Sequence, residues 1–183
     1  MSHCSQDEKL AKGEIQRMPK SDHNAAHYFI ETHLEAGRGE AIAFIEAASG
    51  KRISYGTLSA NSSKVAGALT KAGIKREERA AILMLDSIDY VEVFWGCLKA
   101  GVIAVPINTL LAGAVYDTIL SDSRASCLFV SAALLQVVKP VLAKNDHIRK
   151  VIVVGDHPLE DGFESYQTFT KGAPELVPVA VSP

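Results

Sequence analysis

The chain has 183 residues, of which 48% are hydrophobic and 22% charged, and its formal net charge is -2 with a sequence pI near 6.3. This is the composition of an ordinary globular protein, and a chain of this length buries about 70% of the surface that it exposes when unfolded. The charge gives no reason to expect nucleic acid or a membrane as partner, and no apolar run approaches the roughly 20 residues of a membrane span.

Composition along the chain predicts three segments. Residues 1–22 mix charged and polar side chains and lack the apolar core of a signal peptide, so a polar, flexible N-terminus is expected. Residues 23–171 are predicted to form one domain. Residues 172–183, GAPELVPVAVSP, are predicted to form an irregular tail or linker.

The first predicted elements are a helix and a β-hairpin. Residues 24–37 begin with asparagine, a favoured N-cap, end with glycine, and place Phe29, Ile30 and Leu34 at helical spacing. Two short strands are expected to follow at 41–46 and 51–55, with a Ser-Gly turn between them.

The middle of the chain alternates helix and strand patterns. A helix is predicted from Ser54 to Gly73, and the continuous apolar run at 80–85 predicts a strand covered on both faces. A second helix, capped by Asp86 or Ser87, is expected to end at Gly101.

Three further strands and two further helices complete the pattern. The strands are expected at 102–107, 126–131 and 150–155, and the helices near 112–122 and 132–144, the latter kinked or split by Pro140. Such alternation is typical of an α/β fold. We therefore predict a partial doubly wound, mainly parallel sheet with flanking helices and a short N-terminal β-hairpin.

The stretch LKAGVIAVPINTLLAG, residues 98–113, joins a helix end to a strand and a loop. Lys99 is expected to offset the helix dipole, and Pro106, which lacks an N–H, to lie near a strand end or a sheet edge. Asn108 and Thr109 follow the strand, where open α/β sheets place ligands. The alternative is that these two residues turn the chain and cap the next helix.

One helical face offers a candidate metal site. His23, His27 and Glu31 lie at i, i+4 and i+8, so two imidazoles and a carboxylate could face one cation. The sequence offers no fourth ligand, and a solvated polar face is the favoured interpretation.

The cysteines are predicted to be structural thiols. Cys4, Cys97 and Cys127 are odd in number and lack a CxxC spacing, which argues against disulfides and predicts a reducing cytoplasm. Cys97 recurs with apolar residues of its helix and Cys127 lies in an apolar strand, so both are expected in the core.

Two further features have structural interpretations. Phe94 and Trp95 lie at helix-core spacing, so packing is favoured over an aromatic substrate pocket. The KREER run at 75–79 is predicted to be a solvated connection. From the residues alone, no catalytic, cofactor-binding or metal-binding side chain is assigned, and substrate-binding residues are unknown.

Several motifs in order resemble the adenylate-forming superfamily of acyl- and aryl-CoA synthetases. Ser54-Tyr55-x-x-Leu58 is similar to its early Tyr-x-x-Leu motif, and Leu98-Lys99-Ala100-Gly101 with Val105-Pro106-Ile107-Asn108 to its LKAG…VP motif. The stretches MLDSIDY, PINTLL and DSRASCLFVSAALL resemble the benzoate-CoA ligase branch. The resemblance covers residues 24–155.

This resemblance implies an enzyme that uses ATP, Mg²⁺ and coenzyme A to convert an aromatic acid to its aryl-CoA, releasing AMP and pyrophosphate. The family's phosphate loop and its C-terminal catalytic domain do not occur in these 183 residues, and neither GxGxxG nor GxxxxGK[ST] replaces the loop. The chain is therefore expected to be the N-terminal portion of such a ligase, to hold no cofactor and to be inactive alone.

Two positions depart from the family pattern. Thr57 replaces the glutamate of a capping box, which leaves Ser54 to cap its helix alone. After Leu111, Ala112 and Gly113 replace the polar residues that usually start the next helix, a loss of about 1 kcal/mol or more.

Three functions remain open from the sequence. The first is the N-terminal portion of a ligase whose remainder is its missing partner. The second is one half of a split adenylating enzyme, and the third is a non-catalytic α/β module that binds a ligand or associates with itself. If the remainder is absent, an exposed sheet edge is expected to cause dimerisation or aggregation.

Overall fold

A computed structural model describes residues 24–158 and 161–178. In these ranges the strands are β1 (Ile42–Ile45), β2 (Arg52–Ser54), β3 (Arg79–Leu83), β4 (Ile103–Pro106), β5 (Cys127–Ser131), β6 (Lys150–Val154) and β7 (Phe163–Ser165). Helix α1 comprises a π-helical turn, His27–Glu31, and an α-helical turn, Thr32–Glu35. The other helices are α2 (Tyr55–Lys71), α3 (Ile88–Lys99), α4 (Gly113–Ser123), α5 (Leu135–Leu142) and α6 (Tyr166–Thr170).

Five parallel strands form the main sheet in the order β4-β3-β5-β6-β7. Successive residues of the central strands alternate between two apolar cores, so that Ala80 and Ile82 belong to one and Ala81 and Leu83 to the other. Helices α2, α3 and α6 cover the first face, and α4 and α5 cover the second. The predicted doubly wound α/β fold is confirmed. Residues 80–84 of the apolar run are buried as expected, whereas Leu85, beyond the end of β3, is exposed.

The hairpin and the helix before it also match the sequence pattern. Strands β1 and β2 pair antiparallel, with Gly50 in the turn at φ +73°. The Asn24 side chain accepts a hydrogen bond from the Ala26 N–H at 2.9 Å, so Asn24 starts helix α1 as predicted. Ile30 is buried, whereas Phe29, expected on the same apolar face, is 54% exposed. The π-helical turn rotates the two residues away from regular α-helical spacing.

Helices α2 and α3 begin with the predicted serine caps. The Ser54 hydroxyl accepts from the Thr57 N–H at 3.2 Å, and the Ser87 hydroxyl from the Tyr90 N–H at 3.1 Å, so Ser87 rather than Asp86 caps α3. Gly101 has φ +70° after α3, a conformation that a side chain disfavours. The two helices lie so close that Gly96 of α3 abuts Val65 of α2.

Strand β4 is an edge strand, because in the described residues it pairs with β3 alone. Pro106 is its last residue, as predicted from the missing N–H. Helix α4 starts at Gly113 with no side-chain cap, which confirms the expected loss.

Two details of the second half differ from the predicted pattern. Helix α5 continues through Pro140 instead of splitting there, because Leu135, Val138 and Val141 bury its apolar face. Strand β7 and helix α6 are two elements that the predicted pattern of strands and helices did not include. Beyond α6, residues 172–178 form neither helix nor strand, and Pro174 lies against Gly67 of α2.

The KREER run is only partly a solvated connection. Arg149 donates to both carboxylate oxygens of Glu78 at 3.0 and 2.8 Å, and the Ser126 hydroxyl donates to one of them at 2.9 Å. The Lys75 N–H also donates to this carboxylate. These bonds, the Arg149 pair foremost, lower the pKa of Glu78 from 4.5 to about 2. Glu78 therefore ties the start of β3 to the starts of β5 and β6.

We expect Glu78→Gln to destabilise the fold in a pH-dependent way. Because the folded pKa lies below the unfolded value, the charged carboxylate contributes stability above pH 4.5 that is lost as the pH falls toward 2. Allowing for solvent screening, the loss at pH 7 should be about 1 kcal/mol. Urea unfolding at pH 7 and pH 3 measures it, with exposed Glu77→Gln as control. An equal difference at both pH values would contradict the assignment.

Candidate functional site

The sheet has a topological switch point at the carboxyl ends of β3 and β5. These neighbouring strands are followed by helices on opposite faces, α3 after β3 and α5 after β5. The Leu85 N–H donates to the Ser131 hydroxyl at 2.9 Å across this point. The chain segments that follow β3 and β5 therefore diverge toward opposite faces of the sheet. Open α/β sheets form their ligand crevice at such a point.

The loop after β4 lies one strand away from this switch point. The Asn108 side chain accepts from the Leu110 N–H at 2.9 Å, so it turns the chain as the alternative interpretation predicted. Neither Asn108 nor Thr109 caps the next helix, which starts at Gly113 after Ala112. Asn108 is exposed and Thr109 half-buried.

Beside the switch point is a cleft of about 530 Å³. One wall is formed by residues 44–48 of the hairpin and the other by residues from 86 to 91 at the start of α3. The walls are mainly apolar, and the charged residues among them are Glu46 and Asp86. Two carboxylates repel a carboxylic acid, so this cleft suits an apolar or cationic group better than an aromatic acid.

A lysine is buried where the first three helices meet. Lys99 is 0% exposed, and its Nζ lies 2.6 Å from Glu31 Oε1. It donates to Ser59 O at 2.9 Å, Ser59 Oγ at 3.0 Å and Ser63 Oγ at 2.9 Å. Lys99 does lie in the last turn of α3, as its predicted role at the helix dipole requires, but its burial and its ion pair with Glu31 were not predicted. Burial lowers the pKa of Lys99, against the opposing effect of Glu31.

A second polar cluster lies seven residues earlier on α3. Glu92 accepts from Asn61 Nδ2 at 2.7 Å and from the Tyr166 hydroxyl at 2.9 Å. Burial raises the pKa values of both Glu92 and Tyr166. Helix α3 therefore contacts the first helix through Lys99 and the last helix through Glu92. The spacing of apolar residues in the sequence did not predict either polar contact.

The candidate metal site is not assembled in the described residues. Glu31 is engaged by Lys99 and by the Ser59 hydroxyl, which donates at 2.8 and 2.9 Å. His27 Nε2 lies 3.9 Å from Glu35, and His23 lies outside the described residues. No group of three or more His, Cys, Asp or Glu residues within 24–158 and 161–178 could hold a metal.

The thiols and aromatic residues of this region are packing groups. Cys97 and Cys127 are fully buried, as predicted, and burial raises the pKa of Cys97 to about 12. Cys4 lies outside the described residues. Phe94 packs against the core of the first face, and Trp95 against the apolar cluster beneath α1.

Comparisons with known proteins identify what this arrangement is similar to. The family profile described as AMP-binding enzyme matches residues 31–181. The chain is 37% identical over 141 residues to a 4-hydroxybenzoate–CoA/benzoate–CoA ligase of Rhodopseudomonas palustris, covering 77% of this chain and 26% of that protein. It is 34% identical over 134 residues to the benzoate–CoA ligase of Thauera aromatica, covering 73% and 25%.

A solved structure shows the same fold. The crystal structure of the anthranilate CoA ligase AuaEII in complex with anthranoyl-AMP superimposes with a TM-score of 0.81 at 29% identity, covering 90% of this chain and 31% of that one. The chain therefore spans between a quarter and a third of the length of the proteins that it matches.

Proposed function

The chain belongs to the AMP-binding enzyme family, and from that membership we propose that it forms the N-terminal part of a benzoate-type, AMP-forming acid–CoA ligase. The whole enzyme would convert ATP, an aromatic acid and coenzyme A into aryl-CoA, AMP and pyrophosphate. The observation that carries this proposal is the identity with the Rhodopseudomonas palustris ligase over most of this chain. The shared fold of the anthranilate ligase supports it.

The described residues do not supply the phosphate chemistry of that reaction. Loops 84–87, 107–112, 132–134 and 155–158, at the carboxyl edge of the main sheet, contain Asp86 and Asp156 but no lysine or arginine. Phosphate groups need cations or clustered backbone N–H groups. These loops therefore offer no cationic side chain to the phosphates of ATP, and we assign no step of the reaction to them. We propose that the 183 residues alone are inactive.

The proposed partner of this chain is the remaining part of the ligase fold. Ile103 on the edge strand, Leu110 in the following loop and Val115 on α4 are 46%, 90% and 41% exposed, and we call them the edge patch. An open strand edge with exposed apolar side chains favours association. We expect the isolated chain to dimerise or aggregate through this patch, and Ile103→Lys to reduce that association in sedimentation velocity.

In the described residues, no helix is long and apolar enough to cross a membrane. The free thiols of Cys97 and Cys127 support a reducing compartment, and we propose the cytoplasm.

The function is tested on the protein extended to the full length of its relatives by the coding sequence that follows codon 183. We expect pyrophosphate exchange into ATP that depends on benzoate or a hydroxybenzoate, and no exchange by residues 1–183 alone. A long-chain fatty acid is the control substrate. Exchange with the fatty acid only, or activity of the 183 residues alone, would contradict the proposal.

A further inference from the structure

The region before α2 has its own small apolar cluster, separate from the two cores of the main sheet. Ile30 of α1 and Ile53 of β2 pack there on Leu58 of α2 and Ile88 of α3. We call residues 24–54, which contain α1 and the hairpin, the N-terminal flap. Because a cooperative unit is held by its shared contacts, a region with a separate cluster can open without unfolding the main sheet.

Few polar contacts join the flap to the rest of the fold. The Asn24 side chain donates to the Leu98 carbonyl at 2.7 Å, and the Tyr55 and Gly56 N–H groups donate to flap carbonyls at 3.0 and 2.8 Å. The Glu31 carboxylate makes a charged contact with Lys99 and accepts from the Ser59 hydroxyl, and Ser54, the last flap residue, accepts from the Thr57 N–H. The position of the carboxylate depends on the π-helical turn, of which Glu31 is the last residue.

We infer that the Lys99–Glu31 ion pair is a lock that holds the N-terminal flap shut, and that the flap opens as a unit when the pair is broken. The flap supplies residues 44–48, one wall of the cleft beside the switch point, while α3 supplies the other. Opening therefore removes the cleft and uncovers Leu58, Ile88 and Trp95. The cleft is therefore available to a ligand only while the Lys99–Glu31 ion pair holds the flap closed.

Native-state hydrogen exchange tests the lock. In the unaltered protein, amides of α1, β1 and β2 should exchange faster than those of β5 and β6. In Glu31→Gln, flap and sheet amides should both accelerate by about 30-fold, because losing the pair raises the closed state against both the flap-open and the unfolded state. In Val153→Ala, which opens a gap in the buried core of the opposite sheet face, sheet amides should accelerate about 30-fold and flap amides no more than about 3-fold, because the sheet stays folded when the flap opens. Glu35→Gln is the matched control, since Glu35 lies on the same helix but is 63% exposed and should change neither group.

The chain's single tryptophan gives a second measurement. Trp95 lies 6.0 Å from Phe29 of the flap, between ring centroids, so its fluorescence reports flap opening. In Glu31→Gln the fluorescence transition should precede the circular dichroism transition of the sheet in urea. Asn24→Ala, which removes a weaker contact of the same flap, should show the same order with a smaller separation.

Three results would overturn the inference. The first is equal acceleration of flap and sheet amides in Val153→Ala, which would show that the flap opens only when the sheet unfolds. The second is unchanged exchange in Glu31→Gln. The third is a Glu31→Gln protein that does not fold, because the main sheet would then depend on the flap.

Discussion

Lys99→Met should lower the free energy of unfolding by about 3 kcal/mol, because removing one partner leaves the other charge of a buried ion pair uncompensated. Methionine fills much of the lysine volume, so the loss reports the four polar contacts of Nζ and not a cavity. The expected loss is at the lower end for such pairs because the Glu31 side chain is 18% exposed and keeps the Ser59 hydroxyl. Urea unfolding at neutral pH measures it.

The control for this substitution is Lys71→Met, at an exposed position in the last turn of α2. It should change stability by no more than about 0.5 kcal/mol. In the double variant Lys99→Met/Glu31→Gln, the combined loss should be smaller than the sum of the two single losses, because the second change removes the orphaned charge. A Lys99→Met loss below about 1 kcal/mol would show that the pair is solvated in solution.

Gly96→Ala should cost about 3 kcal/mol, although alanine has the higher helix propensity. A Cβ at Gly96 would lie 2.5 Å from Val65 Cβ, 2.6 Å from Val65 Cγ1 and 2.9 Å from the Ser62 carbonyl oxygen. Val65 Cβ and the Ser62 carbonyl oxygen are fixed to the α2 backbone, so the two helices must separate and lose packing along their contact. Thermal and urea unfolding followed by circular dichroism should both show the loss.

Gly113→Ala is the matched control, because Gly113 is also helical and has room for a methyl group. Its Cβ would lie 3.8 Å from the Val137 carbonyl oxygen, an ordinary contact distance. The change should be neutral or stabilise the fold by up to about 1 kcal/mol. If the two glycine variants lost equal stability, close helix packing would not be the cause.

The fold could be predicted from the sequence because its local signals agree with its packing. The apolar run at 80–85, the serine caps and the glycine after α3 each fix one element, and parallel strands between helices admit few arrangements. Strand β7 has three half-buried residues and no continuous apolar run, so its pattern was too short to identify. Pro140 does not split α5, because burial of one helical face outweighs the missing N–H.

The polar clusters could not be predicted because each joins residues distant in sequence. Lys99 and Glu31 are 68 positions apart and meet only when α1 packs across α3. The LKAG motif does not indicate whether its lysine side chain is exposed or buried. A retrospective hint is the run of small polar residues Ser59, Ser62 and Ser63 in α2, since a buried helix face with hydroxyls needs polar partners.

The rate at which Cys97 and Cys127 are alkylated measures how often the buried core opens. Both thiols lie in the core between the main sheet and the α2–α3 face, and burial holds the pKa of each above its ordinary value. An alkylating reagent requires an accessible thiolate, so neither residue can be modified until that core opens. In a Cys4→Ser background, the rate of iodoacetamide incorporation therefore counts excursions of the sheet core alone, whatever happens at the chain's beginning.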